Sequence, residues 1–416
     1  MRMIMRRWCL ILIIGSFLIV GSGIIYPAGA QTKPGIVKIG ALLTLSGTMS
    51  VTGQNLKDAI DYAAEVINAQ GGIKSLGGAK IQMVYGDSQA KPNVAVSETE
   101  RLTDTEKVVA IIDQYPSSTT IAATSVAERK KTPYVVGISY ADIIVNRGYH
   151  YTFMLEPPAA AIGYFKGDFI DWLSKQMEKQ IGKKIKRVAH LYEDTDWGQS
   201  VAKSQRDYWT KKGYDIVVDQ SYARPLSDAS SLMAKVKAAK PDIVVHQAYI
   251  SENILFCKTA HRFDLWNVPW LATGTAMQPA MLDAVKQQGE GHFDMNMWAF
   301  DISKEARAFN DKYRAKYGKD LDGNAALMYQ SVWVVKEGLE KAGKLDRQAL
   351  ADALHKIKIT SKPALFLPYD YISFDEKGVN KGGRVIFSQV QNQRWVTLYP
   401  EKYAGAKLVI PPSWKQ

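Results

Sequence analysis

VKIGALLTLSGTMSVTGQNLKDAIDYAAEVIN, residues 37–68, carries two periodicities in succession. Val37 to Leu43 is a short, nearly continuous apolar run of the kind buried in a parallel sheet. Ser46 and Gly47 mark a turn. From about Gly53 to Asn68, the residues Leu56, Ala59, Ile60, Ala63, Val66 and Ile67 recur at i, i+3, i+4 and i+7, which gives a helix one apolar stripe to lay on a sheet. Gly71 and Gly72 stop it. A buried strand feeding an amphipathic helix is the opening of a βαβ unit.

Downstream the alternation continues. Strand-like runs at Ile81–Tyr85, Val108–Ile112 and Tyr134–Ile138 are separated by helices opened by Pro92 and spanning about Thr120–Lys130. A second set follows: strands at Arg187–Tyr192, Tyr214–Val218, Ile243–His246 and Pro269–Ala272, with helices at Gly198–Lys212, Ser227–Ala239 and Glu252–Phe263. The alternation holds to about Leu282, so two similar Rossmann-like α/β halves, each with a parallel sheet, stand in series. Two more amphipathic helices are predicted at Lys304–Tyr317 and Asn324–Ala342, and Tyr369–Tyr399 reads as strand-like with a turn at Asp375–Gly378.

Upstream, Arg2, Arg6 and Arg7 precede an apolar run from Trp8 to Ile25, then Pro27 and the small-residue sequence Ala28, Gly29, Ala30. That pattern predicts a signal peptide over 1–30, with Gln31 as the first mature residue and the periplasm as destination. An uncleaved anchor is the rival, because the run approaches the ~20 apolar residues that span a bilayer. Cys9 stands too early to be the acylated cysteine of a lipoprotein. No later stretch reaches ~18 consecutive apolar residues. The remaining chain, about 386 residues, exceeds one core and predicts two lobes. Cys257 is then the lone cysteine, so no internal disulfide can form.

The net charge of +12 falls to +9 without the three leader arginines. The one concentrated basic stretch, Lys175 to Arg187, reads as a solvated helix end, so no nucleic-acid partner is expected. The six histidines have no metal-ligand spacing, and HExxH, GxSxG, GxxxxGK[ST] and GxGxxG patterns are missing, so neither metal nor cofactor is expected. Glu193, Asp194 and Asp196 form an acidic cluster, more readily explained by the start of a helix than by acid–base chemistry. What remains are loops after strand C-termini, where open α/β sheets bind ligands. Tyr115 and Ser117–Thr120 run straight into a helix, as a carboxylate cradle or as a plain N-cap. Ser139 and Tyr140 follow another strand, and Trp197 and Tyr249 hold equivalent places in the second half. A polar cradle facing an aromatic wall suits a small amphipathic acid.

With these residues in place, the chain resembles the leucine/isoleucine/valine-binding family of type I periplasmic binding proteins, the solute receptors of ABC importers. The resemblance rests on IGALLTLSGTMSVTG (39–53), INAQGGI (67–73), PSSTT (116–120), YVVGISYAD (134–142), LYEDTDWGQ (191–199), PDIVVHQAY (241–249), AALMYQSVW (325–333) and FDEKG (374–378), in that order. It implies two lobes, 36–157 with 298–385 and 158–297 with 386–416, joined by a three-strand hinge around a closing cleft, with no catalysis. It implies a monomer that delivers a small-molecule ligand to an inner-membrane permease. By the same resemblance Ser117, with Ser118 beside it, would bind a ligand carboxylate, Ile138, Ser139 and Tyr140 would complete that contact, and Trp197 and Tyr249 would close over it. Tyr329 would line the side-chain pocket.

Two departures from the family pattern bear on the ligand. Thr275, ending LATGT (271–275), stands where amino-acid binders place an acid for the ligand ammonium, and Thr52 replaces an aromatic. An unpaired buried ammonium costs several kcal/mol. The ligand is therefore either a hydrophobic amino acid, with Asp113, Asp196 or Glu252 supplying the countercharge, or an aromatic carboxylate. A sensory module without transport is the alternative function, although no output segment follows Gln416. An enzyme would need a nucleophile and base in recognisable order.

Overall fold

The computed structural model describes residues 35–113, 115–361 and 367–415, so the expected leader at 1–30 lies outside the described residues. The first lobe is built from β1 (Ile36–Leu43), α1 (Ser50–Ala69), β2 (Lys80–Asp87), α2 (Pro92–Glu100), β3 (Ile111–Asp113), α3 (Ser117–Arg129), β4 (Tyr134–Val136) and β5 (Thr152–Met154). Its five-stranded sheet has the order β2-β1-β3-β4-β5 with every pairing parallel. The stripe expected on α1 is buried at Leu56, Ala59, Ile60, Ala63 and Ile67, and each large apolar side chain there contributes roughly 1.5–3 kcal/mol.

The second lobe starts with α4 (Ala159–Ile181), of which the sequence reading had only the basic end, and continues through β6 (Arg187–Glu193), α5 (Asp196–Lys212), β7 (Asp215–Tyr222), α6 (Ser230–Ala239), β8 (Ile243–Gln247), α7 (Ile250–Arg262) and β9 (Trp270–Leu271). The alternation extends past Leu282 through α8 (Pro279–Val285) and β10 (Phe293–Asn296). The basic stretch is the exposed end of α4 and the loop after it.

The chain then crosses back, placing α9 (Lys304–Tyr317), α10 (Gly323–Ala342) and α11 (Arg347–His355) with the first lobe, where α10 packs against α1, β3 and β4. It crosses a third time into β11 (Ile386–Gln391) and β12 (Arg394–Tyr399). These two strands, rather than the whole of 369–399, are the strand-like tail; they join β10 antiparallel and complete a sheet of order β12-β11-β10-β9-β8-β6-β7. The remaining pairings in that sheet are parallel. Among the described residues no helix is long and apolar enough to cross a membrane.

The two lobes share one packing device. A Cβ added at Gly53, in the first turn of α1, would lie 1.8 Å from the Thr44 carbonyl oxygen; at Gly198, in the first turn of α5, it would lie 1.9 Å from that of Glu193. In each half the helix start presses onto the end of the strand before it, and only glycine permits that approach.

Candidate ligand-binding site

Three helix N-termini, each following a strand, meet between the lobes. Ser117 is the first residue of α3, Trp197 the second of α5, and Tyr249 caps α7. All three line one small cavity together with Tyr115, Ile138, Ser139, Tyr140, Gly274 and Thr275. Unpaired backbone N–H groups and the helix dipoles make such a place favourable for an anion. The first lobe supplies Tyr115, Ser117 and 138–140, the second the remaining four.

The walls touch. Tyr115 and Tyr249 lie 5.5 Å apart between ring centroids, Tyr140 and Trp197 6.4 Å, and Trp197 and Tyr249 4.7 Å. The enclosed space is about 10 Å³, room for the centre of a single water. Ser139 is pinned by a 2.9 Å hydrogen bond between its hydroxyl and that of Thr120. At the edge of the cavity, Thr52 Oγ1 donates to Gln278 Oε1 across the lobes at 2.9 Å.

The lining is neutral. Burial holds the Tyr115, Tyr140 and Tyr249 phenols above their ordinary range, Glu156 adding to the effect at Tyr140 and Glu193 at Tyr249, so all three remain hydrogen-bond donors. Of the three acids that could have answered an ammonium, none lines the cavity. Asp113 is buried beside the Tyr134 phenol, and Asp196 is exposed. Glu252 is buried with Arg224 Nε at 3.4 Å, and the same guanidinium covers the outer part of Tyr249 at 3.9 Å from the ring centroid. Thr275 is equally committed, because its hydroxyl donates to the Ala248 carbonyl and accepts from Asn253 Nδ2 at 2.7 Å. In the acidic cluster, Glu193 accepts from Gly198 N at 2.7 Å and from Thr195 Oγ1 at 2.6 Å, as a helix-start residue would. Asp194 and Asp196 face solvent.

Eight of the ten residues expected at the site therefore share the cavity: Tyr115, Ser117, Ile138, Ser139, Tyr140, Trp197, Tyr249 and Thr275. Ser118 is half-buried one step along α3 and off the lining. Tyr329 is also off it, packed inside the first lobe with Phe309 at 4.8 Å, Tyr62 at 5.9 Å and Trp333 at 6.4 Å. Three contributors escaped sequence reasoning. Gly274 has φ +76°, and a side chain there would meet the Tyr140 hydroxyl at 2.8 Å. Asp294 holds the loop behind it, accepting from the backbone N–H of Gly274 at 2.8 Å and of Ala276 and Met277 at 2.9 Å. Lys166 is fully buried and donates to Thr273 Oγ1. Burial pushes the Asp294 carboxyl up to about 7 and the Lys166 ammonium down to about 7. The available signal was a single acid inside the apolar FDMN strand and a lysine on an otherwise apolar helix face.

Comparison with known proteins agrees with this geometry. A family model described as periplasmic binding protein matches residues 36–394. A Leu/Ile/Val-binding protein homologue of Brucella suis is 29% identical over 394 residues, covering 92% of this chain and 96% of the relative. Among solved structures, the branched-chain amino acid substrate-binding protein LivJ of Streptococcus pneumoniae, in complex with isoleucine, is similar with a TM-score of 0.73 at 23% identity, covering 87% of this chain and 100% of that one. A solute-binding protein of an ABC transporter from R. palustris, in complex with benzoate, has a TM-score of 0.75 at 20% identity, covering 92% and 99%. With two α/β lobes and a cavity between them, the chain belongs to the periplasmic binding proteins of type I, in the leucine/isoleucine/valine-binding family, whose members are solute-binding proteins.

Proposed function

We propose that this protein is the periplasmic receptor of an ABC importer and that it captures an apolar or aromatic carboxylate lacking an ammonium group. The observation that carries the ligand class is the neutral lining: helix N-termini and hydroxyls favour an anion, and no carboxylate lines the cavity to answer a cation. Of the two neighbours, one holds isoleucine and the other benzoate, and the lining fits the second chemistry better. Ser117, the 138–140 segment and the α3 N-terminus bind the carboxylate, while Trp197 and Tyr249 close over the apolar body. The protein works as a monomer whose lobes, 36–157 with 298–385 and 158–297 with 386–416, close together, and an inner-membrane permease reads the closed form. Export uses the 1–30 leader, which is then cleaved.

A thermal-shift screen of branched-chain amino acids against benzoate-like acids tests the ligand class. Saturating ligand adds ~2.7 kcal/mol at a hundredfold excess over Kd. A shift produced by leucine or isoleucine and by none of the simple carboxylates refutes the assignment.

A further inference from the structure

Beyond the sealed cavity the cleft opens into a groove of about 480 Å³, within the range of small-molecule sites. Met277 and Pro279 of the second lobe, Trp298 and Phe300 of the second crossing, Leu321 at the foot of α10 and Trp395 from the β11–β12 hairpin form its apolar side, while Asp283, Arg314, Lys319, Asp320, Asp322 and Arg394 make the rest of the lining charged. The indole N–H groups of Trp298 and Trp395 are buried and, among the described residues, have no hydrogen-bond acceptor. Arg394 lies over the Phe300 ring at 4.9 Å on the rim.

One layer of side chains separates groove from cavity. Tyr115, which lines the cavity, has its hydroxyl against Thr52 and Gln278. Those two are joined by the 2.9 Å bond across the lobes, and Gln278 Nε2 donates to the Thr275 carbonyl at 3.2 Å, reaching the cavity lining again. In sequence Gln278 sits between Met277 and Pro279, both of which line the groove. The partition thus consists of Thr52, Gln278 and the Tyr115 hydroxyl, joined by a few neutral hydrogen bonds.

We propose that Thr52 and Gln278 are a gate that sets ligand length: the natural ligand is an extended acid whose carboxylate sits at Ser117 and whose apolar body passes the gate into the aromatic groove. The proposal rests on the carboxylate reading above and adds to it the groove as a second, specificity-determining compartment. A space of about 10 Å³ holds no organic acid, whereas the adjoining 480 Å³ is ready for one on the far side of this layer of neutral side chains.

The test is calorimetric titration of the purified protein with benzoate, phenylacetate, phenylpropionate, phenylbutyrate and leucine. Each methylene carried into the groove should tighten binding by about fourfold, so phenylbutyrate, with three more than benzoate, should bind about sixtyfold more tightly. Thr52→Trp, which fills the gate, should shrink that ratio to under about threefold; Gln278→Phe blocks it from the other lobe and serves if the first variant does not fold. Benzoate bound as tightly as phenylbutyrate by the unaltered protein overturns the gate and leaves the carboxylate reading standing. Leucine bound more tightly than every acid, or no acid bound at all, overturns both.

Discussion

Trp197→Ala separates what the indole does for the fold from what it does for the ligand. The ring is 2% exposed, 4.7 Å from Tyr249 on its own lobe at 55° and 6.4 Å from Tyr140 on the other at 28°. A tryptophan truncated in a sealed core costs ~3–5 kcal/mol. Here one face borders the cavity, so water can fill part of the void, and the lower end, ~3 kcal/mol, is expected for unfolding in urea. Binding loses a separate amount. One aromatic pair is worth ~0.5–1.5 kcal/mol beyond its area, and some 40–60 Å² of ligand face uncovered at ~25 cal/mol/Å² adds about as much again. The sum is ~1.5–3 kcal/mol, a rise in Kd of about tenfold to 150-fold. Calorimetric titration with the best acid from the screen measures it, and circular dichroism checks that the variant is folded. A folded Trp197→Ala protein whose Kd stays within about twofold of the original would refute the idea that this side chain closes over the ligand.

Thr275→Glu puts a carboxylate where the cavity has none and displaces a hydroxyl bonded to Ala248 and Asn253. It should weaken carboxylate binding by ~2 kcal/mol or more and narrow the gap to leucine, read in the same titration. Gly198→Ala should destabilise the protein by ~2–3 kcal/mol in urea and weaken ligand binding, since a Cβ 1.9 Å from the Glu193 carbonyl oxygen forces α5 and its Trp197 outward. His246 and His292 meet edge to face with ring centroids 5.4 Å apart, buried, with no hydrogen-bond partner among the described residues, and burial holds both below the ordinary histidine range, His292 down to about 3. The unfolded chain protonates these two imidazoles as pH drops through ~6.5 and the folded protein does not, so their contribution to stability is constant above that pH and falls below it. Each histidine should cost ~1.4 kcal/mol by pH 5.5, and His292→Phe should remove its share of that acid slope in pH-dependent urea melts.

The fold was legible wherever one side chain in three or four had to meet a sheet. α1, α5, α7 and α10 follow their apolar spacing to within a few residues. α4 went unread although Ile162, Phe169, Ile170, Leu173 and Met177 are buried at helical spacing. Its first two turns interrupt that stripe: Gly163 and Gly167 lie against Ser204 and Tyr208 of α5, where a Cβ would approach to 2.2 and 2.3 Å, and Lys166 between them is buried. The tail misled for the opposite reason: its alternating residues between Tyr369 and Val385 are buried by turns and isolated bridges, which pattern alone cannot tell from strands. At the cavity, residues that follow strands were legible because topology places them there. Tyr329 was drawn off by its neighbours, since Tyr62 and Phe309 offer it an aromatic site inside the lobe. Asp294 acts only on backbone N–H groups, and no sequence pattern records which ones a carboxylate will hold.

The paired glycines divide the chain into parts with different freedom to change. At Gly198 the start of α5 presses onto the Glu193 carbonyl, and the Glu193 side chain holds the Gly198 N–H, so α5 is set against its strand by residues that do not line the cavity. Trp197 can then be exchanged for another residue while the start of α5 stays where it is. A lineage built on this frame can vary the wall that closes over the ligand by point substitution, without first having to rebuild the helix that carries it.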